Sequence, residues 1–233
     1  MNILAIDTSN QVMGVAVQKD GQLAGEYTTN VKRNHSVRLM PAIDQVMKDT
    51  ATSPKDLDKI VVAKGPGSYT GVRIGLSTAK TMAWTLNIPI VAISSLEMLA
   101  YNGMWTNKLI CPFFDARRGL VYTGLYQTSK NGQQLEQVWN DTNILFTDWL
   151  QQLATLQKQV VFLSQDIHIH QETITNYMED LAIIPEGPIH LPKSSYLAQV
   201  GENKETSSVH TLTPNYLRLA EAEAKWLAGQ QGK

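Results

Sequence analysis

The stretch GPGSYTGVRIG, at residues 65–75, constrains the fold of this chain more than any other part of the sequence. It follows a strand-like apolar run and precedes a helix-like run that extends to Leu86. Its four glycines suit a backbone that takes positive φ or that another segment approaches closely. A glycine turn between a strand and a helix N-terminus also makes a natural anion site. The spacing is neither that of a P-loop nor that of the dinucleotide GxGxxG motif, so a structural turn and a phosphate site both remain open.

Length and composition indicate one globular unit with two lobes, or two small domains that share an interface. The chain has 233 residues, of which 43% are hydrophobic and 18% charged, and its formal net charge is −1. Such a balance argues against a dedicated nucleic-acid binder, which needs clustered lysine and arginine. The single cysteine, Cys111, suits a reducing compartment. Neither a signal peptide nor a membrane-spanning run is recognisable, so we expect a cytoplasmic protein.

The order of apolar patterns predicts a mixed sheet followed by a second, similar block. Three strand-like runs joined by tight turns form a meander near the N-terminus, and the order up to residue 101 is β-β-β-α-β-α-β-α. A strand–turn–strand set at residues 109–126 is followed by a helix, a strand and a helix, the last at residues 171–181. The repeated order suggests a decayed structural duplication. Residues 194–200 read as a helix, residues 201–211 as polar and mobile, and a short helix is expected up to Leu227.

The helix that follows the glycine block has a stripe of small residues, at Gly71, Gly75, Ala79 and Ala83. Residues four apart lie on nearly the same face of a helix, so this stripe has almost no side-chain bulk. It allows either tight packing on the chain's own sheet or a close interface with a helix of another chain.

Asp7, Thr8 and Ser9 follow the first strand and could place a carboxylate and two hydroxyls beside a phosphate or its Mg²⁺. The same residues could instead form a turn that satisfies its own backbone. The basic groups Lys32-Arg33 with Arg38, and Arg117-Arg118, fit a solvated surface or phosphate contacts.

No metal or nucleophile motif stands out. The five histidines are scattered, and the sequence has no GxSxG, HExxH or CxxC pattern. His168 and His170 are two apart but have few acidic neighbours, so we expect solvated or capping roles rather than a metal site. Cys111 lies in an apolar run and is expected to be a buried, inert thiol.

Six stretches together resemble the TsaB family, whose members are subunits of the bacterial machinery that makes N6-threonylcarbamoyladenosine in tRNA. The similarity is dense over the first half of the chain and sparse afterwards. The stretches are LAIDTS at 4–9, GVAV at 14–17, HS at 35–36 with LMP at 39–41, GPGSYTGVRIG at 65–75, DARRG at 115–119 and PNYLR at 214–218.

The resemblance implies an α/β, two-lobed actin/Hsp70/sugar-kinase-like fold, built from two ribonuclease-H-like lobes of which the second is reduced. On this basis the first lobe is expected to take residues 1–107 and a C-terminal helix at 215–229. The second, degenerate lobe is expected to take residues 108–214.

The resemblance also implies that the chain is not itself the transferase. In the paralogue TsaD, two histidines four apart hold a metal, whereas the matching positions here are His35 and Leu39, so no metal is expected. The second lobe lacks a DNA-like or GDG-like phosphate motif, and residues 163–166 read LSQD without glycine. ATP with Mg²⁺ is therefore expected only weakly, or at a boundary with a partner. The residues of such a vestigial phosphate site would be Asp7, Thr8, Ser9, Gly65, Gly67 and Ser68.

As partners, the resemblance implies a homodimer, TsaD and the ATPase TsaE, with tRNA reached only through the complex and no membrane involved. The expected role is that of a non-catalytic scaffold for N6-threonylcarbamoyladenosine formation at position 37 of ANN-decoding tRNAs. The helices at 36–48 and 69–86 would form the interface. Its expected residues are Leu39, Met40, Ile43, Met47, Gly71, Val72, Gly75, Leu76, Ala79, Met82 and Ala83.

Two other functions remain open. One is an active ATP-dependent phosphotransferase or carbamoyltransferase of the same fold, with Asp7 as general base or Mg²⁺ organiser. The other is a metallopeptidase, against which the missing second histidine at Leu39 counts.

Overall fold

The N-terminal meander forms the first of two sheets in the computed structural model, which describes residues 1–32 and 34–218. Strands β1 (Asn2–Asp7), β2 (Val12–Lys19) and β3 (Gln22–Asn30) pair antiparallel. The β2–β3 turn uses Asp20 and Gly21, both with positive φ, as an Asp-Gly hairpin requires. Strands β4 (Lys59–Ala63) and β5 (Ile90–Ile93) add in parallel and give the order β3-β2-β1-β4-β5.

Two long helices cover the outer face of this first sheet. Helix α1 (His35–Asp49) begins after Asn34, whose side chain accepts a hydrogen bond from the backbone of Ser36, and contains Pro41 in its second turn. Helix α2 (Tyr69–Leu86) begins after Ser68 and ends at Asn87, which takes the left-handed conformation. Within residues 1–32 and 34–218, no helix is both long enough and apolar enough to cross a bilayer.

The second sheet repeats the topology of the first. It contains β6 (Leu109–Asp115), β7 (Leu120–Thr128), β8 (Leu135–Leu145), β9 (Val160–Leu163) and β10 (Ala182–Ile183). Its order, β8-β7-β6-β9-β10, reproduces β3-β2-β1-β4-β5 with the same antiparallel and parallel pairings. The predicted duplication and the two-lobed fold class are confirmed. Strands β8 and β10 were not predicted, and the last helix of this lobe starts before the predicted residue 171.

Alternation along the strands sends side chains to two different cores. In β1, Leu4 and Ile6 face α1 and α2, while Ile3 and Ala5 face the interior between the sheets. Helices α4 (Phe146–Thr155) and α5 (Ile167–Met178) cover the outer face of the second sheet. Helices α3 (Ser95–Ala100) and α6 (Ser194–Glu202) lie between the two sheets. The five layers are therefore helix, sheet, helix, sheet and helix.

The division into lobes differs from the expected one. Leu96 and Leu99 of α3 pack with Ile110 and Val161 of the second sheet, although α3 precedes residue 107. Conversely, α6 packs on the first sheet, which the expected 108–214 lobe excluded. Each lobe is thus completed by a helix from the other side of the expected boundary.

The segment after α6 also belongs to the first lobe. Ser207 forms an isolated bridge with Ile90 at the edge of the first sheet, and Leu212 packs against the core beneath α1 and α2. The predicted polar stretch at 201–211 is therefore attached at its Ser207 bridge rather than loose. Most of the helix expected at 215–229 lies outside the described residues.

The small-residue stripe of α2 faces the chain's own sheet. A Cβ on Gly71 would come under 3.0 Å from the carbonyl oxygen of Thr8, and a Cβ on Gly75 under 3.0 Å from the hydroxyl of Thr8. Ala79 and Ala83 are buried in the same core. Of the two alternatives that the sequence left open, the structure shows packing on the chain's own sheet, and the stripe is not an exposed interface, because the absence of bulk brings α2 onto the β1–β2 hairpin.

Most of the residues expected at an interface with a partner are also buried inside the chain. Of the eleven, only Met40 is exposed, and Met82 is partly buried. The others are buried within the chain, so they cannot form a contact surface with a partner in this conformation. These are Leu39, Ile43, Met47, Gly71, Val72, Gly75, Leu76, Ala79 and Ala83.

Candidate functional site

The glycine block lies directly against the turn that follows β1. The backbone amide of Ser68 donates to the carbonyl oxygen of Ser9 at 2.7 Å, and a Cβ on Gly67 would come under 3.0 Å from that oxygen. The hydroxyl of Thr8 donates to the carbonyl oxygen of Gly71 at 2.6 Å. The structure thus brings together the two segments expected to form a phosphate site.

Several polar groups of this loop are satisfied within the chain. Ser68 caps α2 by accepting a hydrogen bond from the amide of Gly71, and the next amide, of Val72, donates to the carbonyl oxygen of Ser68. The carboxylate of Asp7 accepts from the amide of Ser9 at 2.8 Å. A phosphate at a helix N-terminus needs unpaired donors, and pairing of the Ser68 amide with Ser9 and of the Gly71 amide with Ser68 removes two of the four that the start of α2 offers. The loop is therefore a poor fit for a nucleotide phosphate.

Asp7 is buried where a metal-organising carboxylate would have to be accessible. Its relative exposure is 2%. Burial raises the pKa of Asp7 above its ordinary value of 3.8, and the hydrogen bonds from Ser9 only partly oppose this effect. A carboxyl group that resists ionisation is a poor ligand for Mg²⁺.

The raised pKa of Asp7 predicts how the stability of wild type relative to Asp7→Asn depends on pH. The folded chain keeps the Asp7 proton at a pH where the unfolded chain has lost it, so this group's contribution to stability is full below pH 3.8 and falls as pH rises through the folded pKa. We expect the unfolding free energy of wild type, relative to Asp7→Asn, to decrease between pH 4 and pH 8 in urea titrations. Asp44→Asn, at an exposed ion pair with Lys48, is the control and should change stability by only about 0.5 kcal/mol. A relative stability of wild type over Asp7→Asn that rises over this range would contradict the assignment.

The second lobe has a counterpart of this loop that the sequence did not reveal. Asp115 ends β6 as Asp7 ends β1, and the turn to β7 contains Arg117 and Arg118, both with positive φ. A carboxylate oxygen of Asp115 lies 3.0 Å from Nε2 of His170. Asp166 accepts a hydrogen bond from the amide of Asp115 at 3.1 Å. Residues 163–166 are the segment in which the sequence shows no phosphate motif. In the structure, Asp166 of this segment holds the loop after β6 in place.

The two loops face each other across a cleft. The cleft holds a cavity of about 370 Å³, and both lobes contribute to its walls. Its lining is mostly polar, with three amide side chains, two carboxylates and one guanidinium group. The lining residues are Asn10, Gln11, Gly67, Ser68, Tyr69, Asp115, Ala116, Arg117, Tyr122, Gln165 and Asp166. Of the residues expected in a phosphate site, Gly67 and Ser68 line this cavity, whereas Asp7, Thr8, Ser9 and Gly65 do not.

The PNYLR segment at residues 214–218 crosses the mouth of this cleft. The amide of Asn215 donates to the carbonyl oxygen of Lys64, and the guanidinium of Arg218 donates to that of Ala116 at 3.1 Å. Gly65, with φ of 93°, lets the carbonyl oxygen of Asn215 come close. Three motifs far apart in the sequence therefore meet at one place. The turn between β6 and β7 could have been identified from the sequence by aligning the two meanders.

The histidines do not assemble a metal site. Nε2 of His35 lies 2.7 Å from the carbonyl oxygen of Asn10, and Leu39, one turn further along α1, is buried. His190 bonds to the backbone of Ser164 and Pro185. In the described part of the chain, no cluster of three His, Cys, Asp or Glu residues could hold a metal ion.

The cysteine and the described residues of the first basic group that the sequence singled out lie away from the cleft lining. Cys111 is buried, its Sγ accepts a hydrogen bond from the indole of Trp149, and burial raises the pKa of its thiol to about 11, which makes it inert at neutral pH. Arg38 donates to Thr29, Lys32 is exposed, and Arg33 lies outside the described residues.

Duplicated ribonuclease-H-like lobes that face each other across a cleft, with matching loops after β1 and β6, define a member of the actin/Hsp70/sugar-kinase class. The family model described as "TsaD: tRNA N6-adenosine threonylcarbamoyltransferase" matches residues 22–226. The tRNA threonylcarbamoyladenosine biosynthesis protein TsaB of Bacillus subtilis is 53% identical over 231 residues, which span 99% of this chain and 100% of that protein. The chain belongs to the TsaB family, which takes part in tRNA threonylcarbamoyladenosine biosynthesis.

One further relative agrees with this family, and one solved structure shares the fold. The TsaB protein of Escherichia coli is 34% identical over 135 residues, which cover 57% of this chain and 58% of that protein. A Pseudomonas aeruginosa protein described as having similarity to peptidase YEAZ has the same fold, with a TM-score of 0.78 and 23% identity over 93% of this chain and 99% of that one.

Proposed function

We propose that this chain is a non-catalytic partner subunit required for N6-threonylcarbamoyladenosine formation at position 37 of ANN-decoding tRNAs. The observation that carries the proposal is the closed loop after β1. Its carboxylate is buried, and the amides of Gly71 and Val72 in the first turn of α2 are paired with Ser68. A chain whose phosphate loop is closed in this way contributes to the reaction by binding the transferase rather than by holding the nucleotide.

The proposed docking surface is the outer face of α1 and α2. Val37, Met40 and Trp84 are large apolar side chains that these two helices leave exposed. Apolar side chains that are exposed on neighbouring helices suit a helix-pair interface. We propose that this surface serves a homodimer and the TsaD partner, that the ATPase TsaE joins the pair, and that the complex works in the cytoplasm.

Reconstitution tests this role. The chain, a TsaD-family transferase and a TsaE-family ATPase would be purified separately and mixed with an unmodified tRNA transcript, ATP and threonylcarbamoyl-adenylate. We expect modified adenosine only when the chain and the transferase are both present. Asp7→Asn should support at least half of the wild-type rate, because Asp7 has no chemical role in this proposal. Modification by the chain alone, or its loss in a folded Asp7→Asn variant, would contradict the proposal.

One observation favours an ATP-dependent transferase as a second candidate. The cavity of about 370 Å³ has Asp115, Asp166 and Arg117 in its walls, which are residue types that act on phosphate groups. If this candidate is correct, Asp115→Asn abolishes modification in the same assay while the complex with the transferase still forms.

A further inference from the structure

Two tyrosines and an arginine form an exposed stack at the mouth of the cleft, which we call the aromatic platform (Tyr69, Arg73 and Tyr216). The rings of Tyr69 and Tyr216 lie 5.3 Å apart between centroids with an interplanar angle of 22°. The guanidinium carbon of Arg73 lies 4.1 Å from the Tyr69 ring centre, and its Nε donates to the Tyr216 hydroxyl at 2.6 Å. Despite this packing, Tyr69 remains 47% exposed and Tyr216 43% exposed. The platform is therefore rigid and accessible.

Two guanidinium groups lie at the platform and across the cleft from it. Neither Arg73 nor Arg117 forms an ion pair with a carboxylate within residues 1–32 and 34–218. Arg117 reaches the cleft from the opposite lobe and is exposed. The carboxylates of Asp115 and Asp166 line the same cavity and accept hydrogen bonds from backbone amides. An anionic group beside the flat rings would therefore have to be held by Arg73 and Arg117.

Hydrogen-bonding groups line the two cavities beside the aromatic platform. Tyr69 and Tyr122 line both the large cavity and a smaller one of about 120 Å³ beneath residues 215–218. Asn10, Gln11 and Gln165 present amide groups to the large cavity, and Oε1 of Gln165 is buried without a hydrogen-bond partner among the described residues. Amide groups can donate to and accept from the edge of a nucleobase.

We infer that the aromatic platform and Arg117 bind an unpaired base of RNA together with its phosphate. The inference rests on the proposed function, because it assigns to this chain a direct contact with the tRNA substrate. Unpaired bases are recognised by stacking on aromatic rings and guanidinium planes, with charge for the backbone. A free nucleoside triphosphate fits less well, because the amides of Ser68, Gly71 and Val72 beside the loop after β1 are already paired and so cannot bind its phosphates. The net charge of −1 suits one small contact site rather than a whole RNA-binding surface.

Binding of a fluorescent anticodon stem-loop to the full chain tests the inference. We expect the stem-loop to bind, while the blunt duplex of its stem and free ATP fail to compete. Tyr69→Leu should weaken binding by about 5- to 150-fold, the effect of losing one base stack. Tyr69→Phe should stay within about twofold of wild type, because the ring is kept. Arg117→Gln should reduce the salt dependence by about 0.7 in log–log slope, the value for one phosphate of a single strand.

Tyr177→Leu, at an exposed tyrosine on α5, is the matched control and should bind like wild type. Absence of stem-loop binding, equal binding by Tyr69→Leu, or competition by ATP as strong as by RNA would each overturn the inference. The same Tyr69→Leu variant would be tested for its complex with the transferase. If Tyr69→Leu still binds the transferase but no longer binds RNA, the inference is supported. If the wild-type chain does not bind the transferase, the proposed function is refuted, whatever the RNA result.

Discussion

Gly71→Ala is expected to destabilise the chain by about 1–3 kcal/mol, the usual cost of forcing extra atoms into a packed interior. Alanine favours helices by nearly 1 kcal/mol over glycine, so propensity alone predicts the opposite sign. The reason for the loss is that the new Cβ would come under 3.0 Å from the carbonyl oxygen of Thr8, a backbone atom that cannot move without shifting the β1–β2 turn. Thermal unfolding should show a decrease of roughly 2–12 °C.

Ser77→Ala, at an exposed position of the same helix, is the control and should change stability by less than about 0.5 kcal/mol. Gly75→Leu should destabilise the chain further, because its side chain would displace the Thr8 hydroxyl and the hydrogen bond to Gly71. An unfolding temperature of Gly71→Ala equal to or above that of wild type would show that α2 can move away from the turn at no cost.

Met40→Asp is expected to weaken association with the transferase by about 30-fold or more, while the isolated chain stays folded. Met40 is 50% exposed on α1, so a charge there disturbs little in the free chain but would be buried without a partner in the proposed interface. A central interface residue contributes roughly 2 kcal/mol or more, which corresponds to that factor. Titration calorimetry with the transferase and light scattering of the chain alone measure the two associations.

Leu23→Asp is the matched control, because Leu23 is 52% exposed but lies on β3, away from α1 and α2. It should associate like wild type. If Leu23→Asp weakens the complex and Met40→Asp does not, the edge of the first sheet is the docking surface and the proposed helix pair is not.

The sequence predicted the duplicated fold well because hydrophobic periodicity and turn residues are local signals. Asp-Gly at residues 20–21 marks a hairpin by itself, and it forms one here. Strand β10 has only two residues, and none of the residues of β8 is buried, so neither carries a strong period-2 pattern. Their assignment depends on pairing with distant strands, which the local sequence does not encode.

The role of the small-residue stripe could not be decided from the sequence. A face without bulk predicts close approach, but it does not say what approaches. In the structure it is the Thr8 backbone that fills the space beside Gly71. Likewise, a carboxylate after a strand predicts a phosphate loop only when its neighbours leave donors free. In the turn that follows Asp7, the Thr8 hydroxyl pairs with Gly71 and the Ser9 carbonyl oxygen with Ser68, both more than fifty positions away.

The placement of the cleft residues depends on the same long-range order. Asp115 and Asp166 are fifty-one residues apart, and they meet because β6 and β9 are neighbouring parallel strands. The DARRG stretch is a motif and contains a basic pair, but its equivalence to the turn after β1 becomes evident only when the two meanders are compared, as the shared strand order shows.

The exchange of helices between the lobes has a mechanical consequence. Because α3 closes the core of the second sheet and α6 closes that of the first, cutting the chain at residue 107 would leave neither part with a complete interior. Met98 of α3 packs in the same core as Leu197 and Ala198 of α6. Opening the cleft by parting these two helices would expose that apolar contact to water, so we expect a wider cleft to cost free energy in proportion to the area exposed.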